Sequence, residues 1–393
     1  MKIGPGLHLS YCTNIHRGET WEEVFAALRT HALAVRDQVC SSGPFAIGLR
    51  VGAVAAGELR EPGNLTAFRR WLDRENCYVV AINGFPYGRF HGTRVKEQVY
   101  APDWSTDERL EYTKLLFDLL DAVAPAGESI GVSTLPGSFK EFAAGDAWME
   151  RIRDRLWCCC RHIEALRERS GRDIHLGLEP EPLGLFETSA ETVEFLETLL
   201  DRAEDPEMVR RNVGINYDTC HLAVEYETAR EAVGRFRQAG LRLSKLHLSS
   251  ALRLVPTPEA LDRLRAFEEG VYLHQVVIRN GKAPGGGGLV RFRDLGPALA
   301  AVAGGEVPPG DEWRVHFHIP LHEAPEPPFG DTRDHLLEIL DLVREDPALC
   351  PHLEMETYTW EVLPAGLRER DVAAQLVGEY GWTLGALRER GLA

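Results

Sequence analysis

The chain has 393 residues and a formal net charge of −16, with 44% hydrophobic and 26% charged residues. That length suits one large α/β barrel with insertions, or two domains, and the balance is that of an ordinary globular chain. The acidity argues against general affinity for nucleic acid or anionic membranes, since both rely on a field of the opposite sign.

No apolar run approaches a bilayer span and no basic-then-apolar signal segment opens the chain, so a cytoplasmic location is expected. The eight cysteines show no disulfide framework. Cys158, Cys159 and Cys160 fall in a helical pattern where successive residues point in different directions, so reduced, structural thiols are expected.

Residues 7–14 alternate like a half-buried strand and end in turn-formers. Thr20 with Glu23 forms a capping box, and Trp21, Val24, Phe25, Leu28, Ala32 and Val35 supply a helical stripe. A strand at 45–51, a helix at 64–75 and a strand at 78–83 follow. The loop 84–92 is rich in glycine and aromatics, as loops over pockets and binding faces are. Next come a helix at 105–122 capped by Ser105, a strand at 129–134, a long helix at 145–170 and a strand at 174–179. Helices at 188–202 and 223–240 flank a strand at 213–218, and another strand covers 243–247.

Past Ser250 the rhythm breaks. Residues 256–269 are helical, 271–279 alternate and meet the hairpin-type turn Asn280-Gly281, and the glycines at 285–288 read as a flexible or phosphate-cradling loop. A strand at 314–320, a helix at 332–344, a strand at 352–357 and a helical tail at 363–390 complete the chain. No Gly-x-Gly-x-x-Gly marks a dinucleotide fold. The predicted architecture is a single (β/α)8 TIM barrel over 1–393, with an insertion at 250–312 and a C-terminal helical extension at 363–393. Nine strand candidates compete for the barrel's eight places, so either 314–320 or the stretch around Val271 belongs to the insertion.

In such barrels the active site lies at the carboxyl ends of the strands. Glu179, Asp218, His247 and Glu356 each end a strand. Three carboxylates and one imidazole suit Mn²⁺ or Mg²⁺, and further histidines would shift the preference toward Zn²⁺. Any one of them alone reads equally well as a capped turn or a surface charge. Glu181 shares a face with Glu179, and Glu354 with Glu356; position along the strand favours Glu179 and Glu356.

Glu179 and Glu356 are also candidates for moving a proton. His221 can orient Asp218 or act as a base, and His318 is an extra ligand or proton-transfer group, with His316 second or in contact with substrate. Arg50, Arg94 and Lys96 could bind a substrate oxygen or phosphate, although surface solvation is their default, and His91 could line the pocket mouth. His8 reads at least as well as a core residue.

The ordered set Leu178-Glu179-Pro180, Tyr217-Asp218-Thr219-Cys220-His221, Lys245-Leu246-His247-Leu248-Ser249 and Glu354-Met355-Glu356-Thr357 resembles the xylose-isomerase-like TIM-barrel superfamily. That superfamily includes sugar isomerases, epimerases and class II AP endonucleases. The resemblance implies a divalent metal (Mn, Mg or Zn) held by Glu179, Asp218, His247 and Glu356. More narrowly, the opening 6–16 and the segments 82–88, 91–96 and 356–360 resemble the EboE-like metabolite traffic proteins. This implies a pathway that moves a metabolite precursor across a bacterial inner membrane, with membrane-protein partners.

The chain departs from the superfamily at Ser249-Ser250, where many relatives carry an acidic residue, and in the long insertion before His316. His316-Phe317-His318 could stand in for the acidic-x-His element that binds metal in the endonucleases. The expected function is that of a metal-dependent isomerase or epimerase acting on a small polyhydroxylated or carbonyl compound through an enediolate. The alternatives are a non-catalytic carrier or scaffold and a metal-dependent hydrolase of the AP-endonuclease type.

Overall fold

A computed structural model describes residues 1–4, 6–92, 94–281, 288–362 and 371–393. The strands are β1 (Lys2–Ile3), β2 (Leu7–Cys12), β3 (Phe45–Arg50), β4 (Cys77–Asn83), β5 (Ile130–Thr134), β6 (Ile174–Leu178), β7 (Val213–Asp218), β8 (Arg242–Leu248), β9 (Ala251–Leu254), β10 (Val276–Asn280), β11 (Gly288–Phe292), β12 (Glu312–His318), β13 (Phe329–Asp331) and β14 (His352–Met355). From β2 through β8 each strand pairs in parallel with the next, and β14 joins β8 to β2. The ring is closed: it is a (β/α)8 TIM barrel, with β1 folded antiparallel onto β2.

The period-2 alternation along the barrel strands has an unusual cause. The outward residues are apolar and buried under the helices, among them Leu9, Ile47, Val132, Leu176, Ile215, Leu246 and Leu353. The bore, usually filled by branched apolar side chains, is polar here. Lys245 on β8 donates to Ser133 Oγ on β5 at 3.0 Å, His175 on β6 meets Ser244 on β8 at 2.5 Å, and His8 on β2 meets Tyr78 on β4 at 2.9 Å. Glycines make room for these long groups. A Cβ on Gly48 would lie 2.1 Å from Glu354 Oε2, and one on Gly131 would lie 2.6 Å from His175 Cε1.

The capping box at Thr20 and Glu23 is present and opens the helix Trp21–Ala27. Ser105 is not a cap: it is drawn to Asp103, and Thr106 caps the helix Asp107–Val123. The single helix expected at 223–240 is two helices, Thr219–Val224 and Ala229–Gln238, capped by Asp218 and Thr228. The helix Val372–Glu389 takes the place of the eighth barrel helix, sinking Leu376, Tyr380 and Leu387 into the main core. The preceding 363–370 and the glycine-rich run through 287 lie outside the described residues.

The stretch at 314–320 and the one around Val271 both belong to the insertion, so ten strand-like segments, rather than nine, stood for the eight places. The insertion's five strands form an antiparallel sheet in the order β11-β10-β12-β9-β13, with a separate core that includes Leu252, Ile278, Trp313, Val315 and Phe317. The sheet runs on through Asp331, past the boundary expected at residue 312. All eight cysteines are free thiols. Among the described residues, no helix is long and apolar enough to cross a membrane.

Candidate metal centre

Barrel closure brings Glu179, Asp218, His247 and Glu356 together at the carboxyl ends of β6, β7, β8 and β14, with one ligand atom of each within 4.8 Å of all the others. His247 Nδ1 lies 2.7 Å from Glu356 Oε2, 3.2 Å from Glu179 Oε1 and 3.4 Å from Asp218 Oδ2. A single ring nitrogen can donate to only one of these oxygens. All four groups are buried, so three carboxylates repel one another in a medium that screens poorly.

Asp218 shows how the local fold aims a ligand. Its Oδ1 is saturated by Cys220 N at 2.7 Å, His221 N at 3.2 Å and Ser249 Oγ at 2.6 Å, while Oδ2 has no hydrogen-bond partner among the described residues. One oxygen caps the helix and the other faces the cluster. Asn14, not singled out from sequence, donates to Glu356 Oε1 at 2.5 Å and leaves Oε2 toward His247. A divalent ion fits this arrangement: the donors are hard oxygens plus one imidazole nitrogen, and the ion's charge would offset the crowding.

Below the cluster, Glu354 sits 3.7 Å from His247 Nε2 and 3.5 Å from Lys245 Nζ. Burial opposes its charge, but Lys245 and His247 hold the Glu354 carboxyl down at about 2. Glu354 and Lys245 thus form a buried charged layer behind the ring of His247. At the cluster itself, burial opposes charge on Asp218, but His221, His318 and His247 keep it well below the usual carboxylate range. Burial pushes Glu356 up to about 7, helped by Glu179 and Asp218, and pushes Glu181 up to about 8.

Three more imidazoles stand beside Asp218. His221 donates Nδ1–H to Pro180 O at 3.0 Å, His318 to Glu356 O at 3.0 Å, and His316 to Gln275 Oε1 at 2.8 Å. Gln275 Nε2 donates to Pro182 O, which leaves its Oε1 as the acceptor for His316. The neutral rings of His316 and His318 therefore present a bare Nε2, whereas on His221 burial opposes charge but Asp218, Glu181, Glu179 and Glu356 raise its value and favour the protonated ring. Among the described residues, Nε2 of His316 and of His318 is buried without a hydrogen-bond partner, and Nε2 of His221 lies 3.9 Å from Asp218 Oδ2. The ring centroids are 4.6 to 5.6 Å apart. Burial keeps His318 neutral, with its value down at about 4.

Above the cluster is a pocket of about 580 Å³ including its mouth. Glu179, Glu181, Glu356, His221 and His316 line it, whereas Asp218 and His247 lie deeper. The aromatic loop contributes Phe85 and Phe90, as expected of a loop over a pocket, and the insertion contributes Tyr272 and Gln275.

The expected substrate-binding residues are placed unevenly. His91 stands behind the wall, donating Nε2–H to Asn14 O at 2.5 Å and accepting from Tyr272 at 2.6 Å. Lys96 lines the mouth but is held by Asp294 at 2.5 Å. Arg50 is away from the pocket: it is buried and donates to Gly88 O at 3.0 Å, tying two loops. Arg94 is solvent-exposed and outside this pocket. His8 is at the opposite end of the barrel, bonded to Tyr78 and Glu128.

No family model matches the chain, and no curated protein matches it in sequence, so the narrower EboE-like resemblance gains no support. Among solved structures, the chain is similar to a probable 3-DHS dehydratase of Bacillus anthracis, AsbF, involved in petrobactin synthesis. Identity is 15%, with 96% of this chain and 98% of that one covered and a TM-score of 0.48. It is similar to the IolI protein with a binding zinc atom, at 12% identity, covering 98% and 99%, with a TM-score of 0.49. A D-psicose 3-epimerase solved in the presence of D-fructose gives 12%, 98% and 99%, with a TM-score of 0.49. These are likenesses of chain path, and the chemistry of the centre rests on its own geometry.

Proposed function

We propose that the protein is a divalent-cation-dependent isomerase or epimerase acting on a small polyhydroxylated or carbonyl metabolite. The observation that carries this reading is one imidazole nitrogen facing oxygens of three buried carboxylates at 2.7 to 3.4 Å, beneath the pocket. A divalent ion held by Glu179, Asp218, His247 and Glu356 supplies positive charge to oxygens of the substrate. Asp218 and His247 anchor from below. Glu179 and Glu356 reach both the cluster and the pocket, so they can take and return a carbon-bound proton beside the ion. Asn14 orients Glu356 for that task.

The test is proton exchange. The Mn²⁺-loaded protein is incubated in D₂O with a panel of hydroxyketones and aldoses, and NMR follows deuterium entering next to the carbonyl. Exchange that is lost in Glu179→Gln and Glu356→Gln supports the reading; no exchange across the panel counts against it.

A second reading, hydrolysis at a two-cation centre, is favoured by the unpartnered Nε2 atoms of His316 and His318 and by the grouping of Asp218, His221 and His318. Two equivalents of Zn²⁺ bound per chain, falling to one in His318→Gln, would favour it. The net charge of −16 speaks against a DNA substrate. The metabolite-traffic setting and membrane partners rest on the sequence resemblance alone.

A further inference from the structure

The walls of the pocket and its floor ask for different chemistry. The floor is made of carboxylates and imidazoles, whereas the walls include Phe85, Phe90, Val95, Tyr100, Tyr272 and Tyr358. The rings of Phe90, Tyr272 and Tyr358 meet one another at 5.3 to 5.4 Å, and Phe85 stands edge-on to Tyr100 at 5.5 Å. They come from four separate parts of the chain: the loop after β4, the segment around Tyr100, the insertion and the loop after β14. Tyr358 also packs against His318 at 4.7 Å, so the aromatic wall begins next to the candidate centre.

The hydroxyl of Tyr272 is already engaged, donating to His91 Nδ1, because Nε2–H of that ring is committed to Asn14 O. Lys96 is the only Lys or Arg among the described residues lining the pocket, and Asp294 and the Glu269 carbonyl occupy its ammonium. Among these rings the Tyr100 hydroxyl is buried without a hydrogen bond to any described residue and could take one substrate hydroxyl, but a sugar hydroxylated along its whole length would bury most of its others without partners, which is unfavourable. A phosphate would find no unengaged cation among those residues.

We infer that the substrate is uncharged at its outer end and has two parts: a pair of adjacent oxygens that enter the carboxylate–imidazole floor, and an apolar, ring-sized portion that packs between Phe85, Phe90, Tyr272 and Tyr358. This rests on the proposed function and narrows its substrate class, from small oxygenated metabolites in general to those carrying an apolar group.

Two probes present the same oxygen pair with different tails: acetohydroxamate and benzohydroxamate. Calorimetry on the full chain first measures Mn²⁺ uptake and then the binding of each hydroxamate to the loaded protein, with free Mn²⁺ as the reference for intrinsic chelation. Benzohydroxamate is expected to bind at least tenfold more tightly than acetohydroxamate after that correction. Phe85→Ala and Phe90→Ala are expected to cut the preference severalfold with Mn²⁺ uptake unchanged. Normal Mn²⁺ uptake with equal hydroxamate affinities, or with the methyl probe favoured, overturns the two-part substrate and leaves the metal reading standing. Failure to take up Mn²⁺ overturns both.

Discussion

Replacing Gly48 with alanine should damage the candidate centre from beneath. The added Cβ would stand 2.1 Å from Glu354 Oε2, 2.3 Å from Cδ and 2.7 Å from Oε1. Non-bonded carbon contacts settle near 3.5 Å, so the carboxylate must move by about 1 Å or more. Glu354 has no solvent to move into, and the shift pulls it from Lys245 at 3.5 Å and from His247 at 3.7 Å. Overpacking a core costs about 1–3 kcal/mol, and breaking a buried ion pair costs about 3–5 kcal/mol; a partial break on top of the clash gives an expected loss of about 3 kcal/mol.

Urea unfolding of the metal-free protein reads the stability change. Mn²⁺ titration should show affinity reduced about 10–100-fold, the usual consequence of disturbing a ligand's supporting groups. Combining Gly48→Ala with Glu354→Ala removes the clashing group, so the pair should cost at least about 1 kcal/mol less than the sum of the two singles. A Gly48→Ala protein within about 0.5 kcal/mol of the parent, with unchanged Mn²⁺ affinity, would refute the packed Glu354–Lys245 layer.

Acid should unfold the protein through its buried histidines. Burial pushes His16 and His352 down to about 3 and His335 down to about 4. Their folded values lie below the unfolded one, so their contribution is complete above pH ~6.5 and is lost as pH falls from there toward the folded values. Stability measured by urea unfolding should fall between pH 7 and 5, with these three groups approaching about 4 kcal/mol per pH unit and the raised carboxyls of Glu181 and Glu356 offsetting part of it; a rising profile contradicts it. Asn14→Ala removes the donor to Glu356 and should weaken Mn²⁺ binding about 10–100-fold in a titration, with unfolding stability lowered by about 1 kcal/mol. Mn²⁺ at about 100 times its dissociation constant should stabilise the fold by about 2.7 kcal/mol, seen as a raised Tm that EDTA reverses; an unchanged Tm argues against a bound ion.

The barrel was readable because its signals are local. Apolar residues alternate with inward groups along each strand, and a carboxylate or histidine at the strand's end needs only the strand period to be placed. The same period puts Glu354 and Glu356 on one face and favours Glu356 for the cluster, where the structure has it. It does not disclose that Glu354 enters the bore one level lower, beside Lys245 and beneath His247. Choices between neighbours also escaped the sequence: Asp103 captures Ser105, so Thr106 caps the helix instead.

What the pattern could not give is what closes the pocket. Tyr272 and Gln275 reach it only because the insertion folds back over the barrel, and Arg50 is turned away by the carbonyls of Gly18 and Gly88. Such contacts depend on tertiary packing rather than on spacing along the chain.

The central claim is that Glu179, Asp218, His247 and Glu356 together hold a cation. Anomalous diffraction at the manganese edge, from crystals grown with Mn²⁺, tests it most directly. The account predicts a strong peak about 2.0–2.3 Å from His247 Nδ1 and from an oxygen of each carboxylate. Crystals with no peak there, and with the His247 ring hydrogen-bonded to Glu356 in its place, would contradict it.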